Sequence, residues 1–130
     1  MQPAHILLTD RNRHVREFLQ RELVAAGYTV TPAASAQEIL LILAAGQRPD
    51  LLILDLDIPF VFETDLLTQL QTFYPSLPIL MHSFLPENPQ VLAYCSNCAF
   101  LEKVEDPEPL KDVVATLLNK KQETTRGQAG

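Results

Sequence analysis

Five polar side chains in this sequence follow short apolar runs and could act together on a charged group. They are Asp10, Asp55, Asp57, Ser83 and Lys103. Carboxylates can bind a divalent cation or attack an electrophile, and a lysine can neutralise negative charge that develops on oxygen. Three carboxylates brought together would repel one another and would require a cation or a proton. These residue types therefore indicate a site for a metal ion or a charged group.

These side chains can meet only if the elements that carry them form one sheet. Short apolar runs alternate along the chain with segments that have helical periodicity. The strand-like runs occupy residues 5–9, 28–31, 51–54, 79–82 and 99–101. The helix-like segments occupy residues 12–26, 35–46 and 64–73, a short fourth segment that begins at Asn88-Pro89, and a last one at residues 106–118.

This alternation predicts an α/β fold in which helices cover both faces of a parallel sheet. Residues 1–118 fit a flavodoxin-like domain with five strands in the order 2-1-3-4-5 and five flanking helices. Sites in such sheets form outside the carboxyl ends of the strands, here between the first and third strands. Asp10 ends the first strand and Asp55 the third. Residues 119–130 are polar, and we predict a disordered C-terminal tail there.

Composition excludes several classes of protein. The 130 residues are 47% hydrophobic and 20% charged, with a net charge of −6, which is typical of one globular domain. No apolar run approaches the ~20 residues that span a bilayer, and the start of the chain has no secretory pattern. We therefore expect a cytoplasmic protein that binds no membrane. Residues 49–118 carry eleven acids and two lysines, which argues against nucleic-acid binding because that requires a basic face.

Four segments resemble the receiver domain of two-component response regulators. They read ILLTDRNRHVREFL, PDLLILDLDIP, PILMHSF and FLEKV, and the resemblance covers about residues 4–118. It implies that Asp55 accepts a phosphoryl group from a histidine kinase or phosphotransfer protein, and that Asp10 helps to hold Mg²⁺. It also implies that Ser83 and Phe100 act as switch residues and that Lys103 contacts the phosphoryl oxygens.

The sequence departs from the family pattern around this site. Arg11 occupies the second acidic position, and a guanidinium cannot ligate Mg²⁺. We therefore expect an impaired metal site made from Asp10, Asp55 and Asp57. One hypothesis is that Arg11 pairs with Asp55 or Asp10 and replaces the charge of the metal. The alternative is that Arg11 points to solvent while the three aspartates hold a metal weakly.

Other departures affect access and the neighbouring loop. Phe84 stands where the family usually has a small residue, so it could narrow the approach to Asp55. Val104 replaces the proline that usually follows the lysine. Phe60 and Glu63 replace glycines in the loop after Asp55.

Three functional interpretations follow. The first is a phosphorelay switch that acts through partner proteins, with no enzyme activity beyond self-phosphorylation from a phosphodonor and autodephosphorylation. The second is a degenerate receiver that serves as a phosphorylation-independent interaction module. The third, more distant, is a haloacid-dehalogenase-type phosphatase, suggested by the pattern Asp55-Leu-Asp57. By analogy of fold, an output protein or a second copy would dock on the face of the fourth helix, fifth strand and fifth helix, which includes Phe100, Lys111, Glu105, Asp106 and Glu108.

Cys95 and Cys98 form a C-x-x-C pair that none of these interpretations uses. The pair lies at the end of the predicted fourth helix, where the helix dipole would oppose a thiolate. A zinc site needs about four ligands, and no second pair is present. We interpret the two cysteines as structural or incidental.

Overall fold

The computed structural model describes residues 2–84, 95 and 97–129, with the side chains of the last helix described through residue 120. It contains the strands β1 (His5–Thr9), β2 (Thr29–Ala33), β3 (Leu51–Leu54), β4 (Ile79–Ser83) and β5 (Cys98–Glu102). All neighbouring strands are parallel, and the sheet order is β2-β1-β3-β4-β5. The predicted flavodoxin-like sheet is confirmed.

Four helices lie within the described part of the chain, whereas the sequence predicts five. They are α1 (Arg13–Ala25), α2 (Ala36–Ala44), α3 (Leu66–Phe73) and α4 (Glu108–Ala129). The predicted helix that begins at Asn88-Pro89 lies outside the described residues. Helix α4 continues through residues 119–129, where the sequence predicts a tail. No helix in the described ranges is both long and apolar enough to cross a bilayer.

Local sequence signals define the ends of the first two helices. The Asn12 side chain accepts hydrogen bonds from the backbone N–H groups of His14 and Val15 and so caps α1. Ser35 accepts from the Glu38 N–H at 3.1 Å, while the Glu38 carboxylate accepts from the Ala34 N–H at 2.5 Å. Ser35 is therefore the N-cap of α2, as the capping-box signature predicts, although Glu38 accepts from the N–H of Ala34, one residue before the cap, rather than from that of Ser35.

The sheet separates two apolar layers, and β3 contributes to both. Leu51 and Ile53 pack with α1 and α4, whereas Leu52 and Leu54 pack with α2 and α3. All four side chains are fully buried. Burying one such side chain contributes roughly 1.5–3 kcal/mol, so the central strand anchors the edge of the sheet where Asp55 follows it.

Candidate functional site

The carboxyl ends of the parallel strands bring four of the predicted site residues to one edge of the sheet. Asp10 follows β1, Asp55 follows β3, Ser83 ends β4, and Lys103 follows β5. Asp10 and Asp55 are only 1% and 0% exposed. Isolated carboxylates at that depth would be unfavourable, so the charges around them decide what the site can do.

Lys103 supplies the positive charge between these carboxylates. Its Nζ lies 2.7 Å from Asp55 Oδ2 and 2.9 Å from Asp10 Oδ2. The contact with Asp55 is a hydrogen bond. The contact with Asp10 has the distance of an ion pair but lacks hydrogen-bond geometry, so Asp10 Oδ2 stays a buried oxygen without a donor within the described residues.

Backbone groups hold Asp55 in its ionised form. Its Oδ1 accepts from the Asp57 N–H at 2.9 Å, and its Oδ2 accepts from the Arg11 N–H at 3.1 Å. Burial raises the pKa of the Asp55 carboxyl. The hydrogen bond from Lys103, these two backbone donors and the lysine charge outweigh burial and hold the pKa below its ordinary value. The carboxylate is therefore charged at neutral pH and can act as a nucleophile.

Two further residues position the aspartates, and neither is predicted from the sequence. The fully buried Thr9 hydroxyl donates to the Ile53 carbonyl and accepts from the Asp55 N–H, each at 2.9 Å. Arg16 donates from its guanidinium to the Asp10 carbonyl at 2.7 Å. A hydroxyl at the end of an otherwise apolar strand was the available signal for Thr9, because a buried hydroxyl requires a partner.

The hypothesis that Arg11 pairs with Asp10 or Asp55 is wrong for this structure. The Arg11 side chain is exposed, and in the described part of the chain its guanidinium forms no ion pair. Lys103, and not Arg11, supplies the positive charge beside the two carboxylates. Only the backbone N–H of Arg11 contacts Asp55, which any residue other than proline could supply.

The predicted three-aspartate metal site is not assembled. Asp57 is exposed, and among residues 2–84, 95 and 97–129 no three His, Cys, Asp or Glu side chains form a metal-binding group. Asp10 and Asp55 remain as the carboxylate pair. Mg²⁺ usually takes one or two carboxylates together with water, and Asp10 Oδ2 is a buried acceptor with no hydrogen-bond donor. This pair therefore fits Mg²⁺.

The other predicted residues lie around Lys103. The Lys103 N–H donates to the Ser83 carbonyl at 2.8 Å, which joins the end of β4 to the segment after β5. The ring of Phe84 lies 5.7 Å from Lys103 Nζ and is 56% exposed. Phe100 packs on the α2/α3 side of the sheet. Phe84 therefore lies at the protein surface beside the site rather than inside the core.

His82 in β4 is a further neighbour of the site. It lines a cleft of about 520 Å³, together with Asp10, Lys103, Phe84 and Val104. Its Nδ1 is buried and has no hydrogen-bond partner in the described part of the chain. Burial and then the Lys103 charge lower the pKa of the imidazole, and the opposing effect of Asp10 and Asp55 is smaller. The ring is therefore neutral at neutral pH.

Known proteins share both the sequence pattern and the fold. The profile of the family described as "Response regulator receiver domain" matches residues 6–122. Response regulator MprA of Mycolicibacterium vanbaalenii is 39% identical over 79 residues, covering 61% of this chain and 34% of that protein. MprA of Mycobacterium ulcerans is 41% identical over 78 residues, covering 60% and 33%. The chain thus spans about a third of the length of these relatives.

Two solved structures show the similarity in fold. A CheY-like receiver domain protein from Methanospirillum hungatei has a TM-score of 0.82 at 20% identity, covering 94% of this chain and 98% of that chain. Response regulator TrrA from Thermotoga maritima, solved in complex with Mg²⁺ and BeF, has a TM-score of 0.76 at 23% identity, covering 88% and 98%. At these identities the similarity concerns the fold alone.

Proposed function

Because this chain belongs to the response regulator receiver domain family, we propose that it is a phosphorelay switch in which Asp55 accepts the phosphoryl group. Receiver domains are signalling switches rather than classical enzymes. One observation carries the proposal: the ionised carboxylate of Asp55 lies buried at the sheet edge with Lys103 Nζ 2.7 Å from its Oδ2. The donor would be a phosphohistidine on a histidine kinase or a phosphotransfer protein.

The transfer step follows from this geometry. An Asp55 carboxylate oxygen attacks phosphorus and forms the new O–P bond, while the P–N bond of the phosphohistidine breaks. The electron pair of that bond returns to the imidazole nitrogen, which takes up a proton from solvent. Lys103 Nζ lies 2.7 Å from the attacking carboxylate, so it would neutralise charge on the phosphoryl oxygens.

Mg²⁺ would be held by Asp10 and Asp55, and it supplies a second positive charge to the phosphoryl group when bound. The oxygen that this chain would offer is Asp10 Oδ2, which accepts no hydrogen bond within the described residues and lies 2.9 Å from Lys103 Nζ. Arg11 cannot ligate Mg²⁺. Its side chain is exposed, and within the described residues it forms no ion pair with Asp10 or Asp55. We therefore expect Mg²⁺ binding weaker than in receivers with a second acidic residue here.

Signal output would pass through Ser83 and Phe100. Ser83 is buried at the end of β4, directly before Phe84 in the sequence, and its carbonyl accepts a hydrogen bond from the Lys103 N–H. If its hydroxyl turns towards the phosphoryl oxygens, the half-buried Phe100 ring on β5 can repack. Partners would bind the face formed by β5 and α4, where Glu105, Asp106 and Glu108 are exposed. Helix α4 corresponds to the predicted fifth helix, and the predicted fourth helix of this face lies outside the described residues.

A phosphorylation-independent docking module is the second candidate. Two observations favour it: Asp55 is 0% exposed beneath Lys103, and an arginine replaces the second acidic residue. In that case the fold would present the same β5/α4 face to partners without chemical switching. Either role would place the protein in the cytoplasm, as the sequence predicts.

Intact-mass measurement after incubation with Mg²⁺ and a small-molecule phosphodonor separates these candidates. The switch predicts one phosphoryl adduct in the wild type, none in Asp55→Ala, and an adduct retained in Asp57→Ala as the matched control. Arg11→Asp is expected to lower the Mg²⁺ concentration required. The absence of an adduct in both the wild type and Arg11→Asp would contradict the switch and support the docking module.

A further inference from the structure

We propose that Cys95 and Cys98 form a reversible thiol–disulfide site, oxidised by a low-molecular-weight disulfide such as glutathione disulfide, that fastens the start of β5 to the core. The two residues are joined as a disulfide in the structure. The proposal concerns the opposite end of β5 from Lys103 and requires no phosphoryl chemistry, so it stands independently of the proposed function.

The backbone already has the spacing that a disulfide requires. The Cα atoms of Cys95 and Cys98 lie 5.5 Å apart, within the range of about 4.4–6.8 Å that disulfides span. The bond can therefore form and break between two cysteines that the fold holds together. Within the described ranges, no group of three metal-binding side chains includes the pair.

The two sulfurs differ in accessibility, which sets the order of reaction. Cys95 is 7% exposed and packs in the α2/α3 layer. Cys98 is half-buried at the first position of β5. An incoming disulfide therefore reaches Cys98 before Cys95. Cys98 also belongs to a strand rather than to a helix terminus, so the helix-dipole argument against a thiolate does not apply to the residue that reacts first.

The reaction is thiol–disulfide exchange in two steps. The Cys98 thiolate attacks glutathione disulfide, forms a mixed disulfide and releases one glutathione thiolate. The Cys95 thiolate then attacks the Cys98 sulfur, closes the intramolecular disulfide and releases the second glutathione. The two cysteines lose two electrons and two protons, and one glutathione disulfide becomes two glutathione thiols.

The contacts around the pair indicate what oxidation would change. In the sheet order β5 lies at an edge, so only β4 pairs with it. Cys98 lies opposite Ile79, and the Ile79 N–H donates to the Asn97 carbonyl at 3.0 Å, between the two cysteines in sequence. Closing the disulfide restrains Asn97 and therefore also restrains the Ile79–Asn97 hydrogen bond, which joins the starts of β4 and β5. Phe100 packs against the same α2/α3 layer as Cys98, so the restraint acts on the strand that carries it.

The test is a redox titration of the full chain in mixtures of reduced and oxidised glutathione. Samples are quenched in acid, alkylated and weighed intact. We expect two interconverting species: one doubly alkylated, and one unalkylated and lighter by two hydrogen atoms than the dithiol chain. A pair that never closes, or a disulfide that persists in excess reduced glutathione, would overturn the proposal.

Single variants test the order of reaction. Cys95→Ser should accumulate a mixed disulfide with glutathione at Cys98, because the resolving thiol is absent. Cys98→Ser should react several-fold more slowly, because its remaining thiol is buried. Equal rates in the two variants would contradict the assigned order.

Amide hydrogen exchange of the wild type tests the structural effect without any variant. The Ile79 amide should exchange more slowly in the oxidised protein than in the reduced protein. The Thr29 amide donates to the Ala4 carbonyl at the opposite edge of the sheet and serves as the control, with equal exchange in both states. Identical Ile79 exchange in the two redox states would overturn the claim that the disulfide fastens β5.

Discussion

At the scale of single residues, the site depends on one lysine placed between two buried carboxylates. Lys103→Met would leave Asp10 and Asp55 facing each other with no cation. Removing one partner of a buried ion pair costs about 3–5 kcal/mol, so we expect a loss of that order in the free energy of unfolding. Urea denaturation at neutral pH measures it.

Lys111→Met is the matched control for this substitution. Lys111 pairs near the surface with Glu108 at 2.9 Å and Glu22 at 3.6 Å. Water and salt screen surface pairs, which therefore contribute little, so this variant should lose much less stability. Equal losses in the two variants would contradict the central role of Lys103.

His82 should make stability depend on pH in a range above that of the carboxyl groups. The pKa of His82 in the folded protein lies below the ordinary imidazole value of 6.5, because burial and the Lys103 charge disfavour protonation. As the pH falls below about 6.5, the unfolded chain binds a proton that the folded protein does not, so stability decreases until the folded-state pKa is reached. Above about 6.5 this contribution is constant.

Urea unfolding of the wild type and of His82→Leu across this pH range measures the effect. The wild type should lose stability as the pH falls, and the variant should lose less over the same interval. Parallel curves for the two proteins would show that His82 is not the group that titrates.

Some positions of the site residues could be predicted from the sequence, and others could not. The strand ends placed Asp10, Asp55 and Lys103 together, because parallel strands share one carboxyl edge. The direction of Arg11 could not be predicted, since the side chain of a loop residue has no pattern of burial to fix it. Lys103 provides the cation because the register of β5 places it above both aspartates, and register is a tertiary property.

At the scale of elements, the loop between β3 and α3 contains a strained position. Phe60 has a φ of 71° and is 46% exposed. A side chain disfavours this left-handed region, whereas glycine adopts it readily. Phe60→Gly should therefore raise the free energy of unfolding by about 0.5–1 kcal/mol, after allowing for the greater freedom of glycine in the unfolded chain.

Phe62→Gly serves as the control in the same denaturation experiment. Phe62 is 72% exposed in the same loop but has no positive φ. Glycine at this position relieves no strain and should leave stability unchanged or lower it. If both glycine variants changed stability equally, backbone strain at Phe60 would be excluded as the cause.

Element boundaries were predictable where a local signal marks them. Ser35 with Glu38 marks the start of α2, and Gly46, with a φ of 97°, lies just beyond its end. The end of the last helix was not predicted. The apolar stripe of α4 stops at Leu118, but helical hydrogen bonding needs no apolar partner and continues to Ala129.

At the scale of the whole molecule, the order of the strands was predictable because alternating β and α segments leave few allowed connections.

The partner surface is a proposal about the whole molecule. If two copies pair through the β5/α4 face, Glu105→Lys and Glu108→Lys should each weaken dimerisation about tenfold. Sedimentation over a concentration series measures this, and Glu63→Lys, an exposed acid in the loop after β3, is the control. Sedimentation unchanged by the first two variants would contradict this face.

Phosphoryl transfer to Asp55 is tested by identifying the residue that carries the phosphoryl group. The protein is incubated with Mg²⁺ and a phosphodonor, the acyl phosphate is reduced with borohydride, and the modified residue is located by peptide fragmentation. We predict modification at Asp55 alone, because Asp55 is the carboxylate that Lys103 and two backbone N–H groups hold ionised. Modification at Asp10 or Asp57, with Asp55 intact, would contradict it.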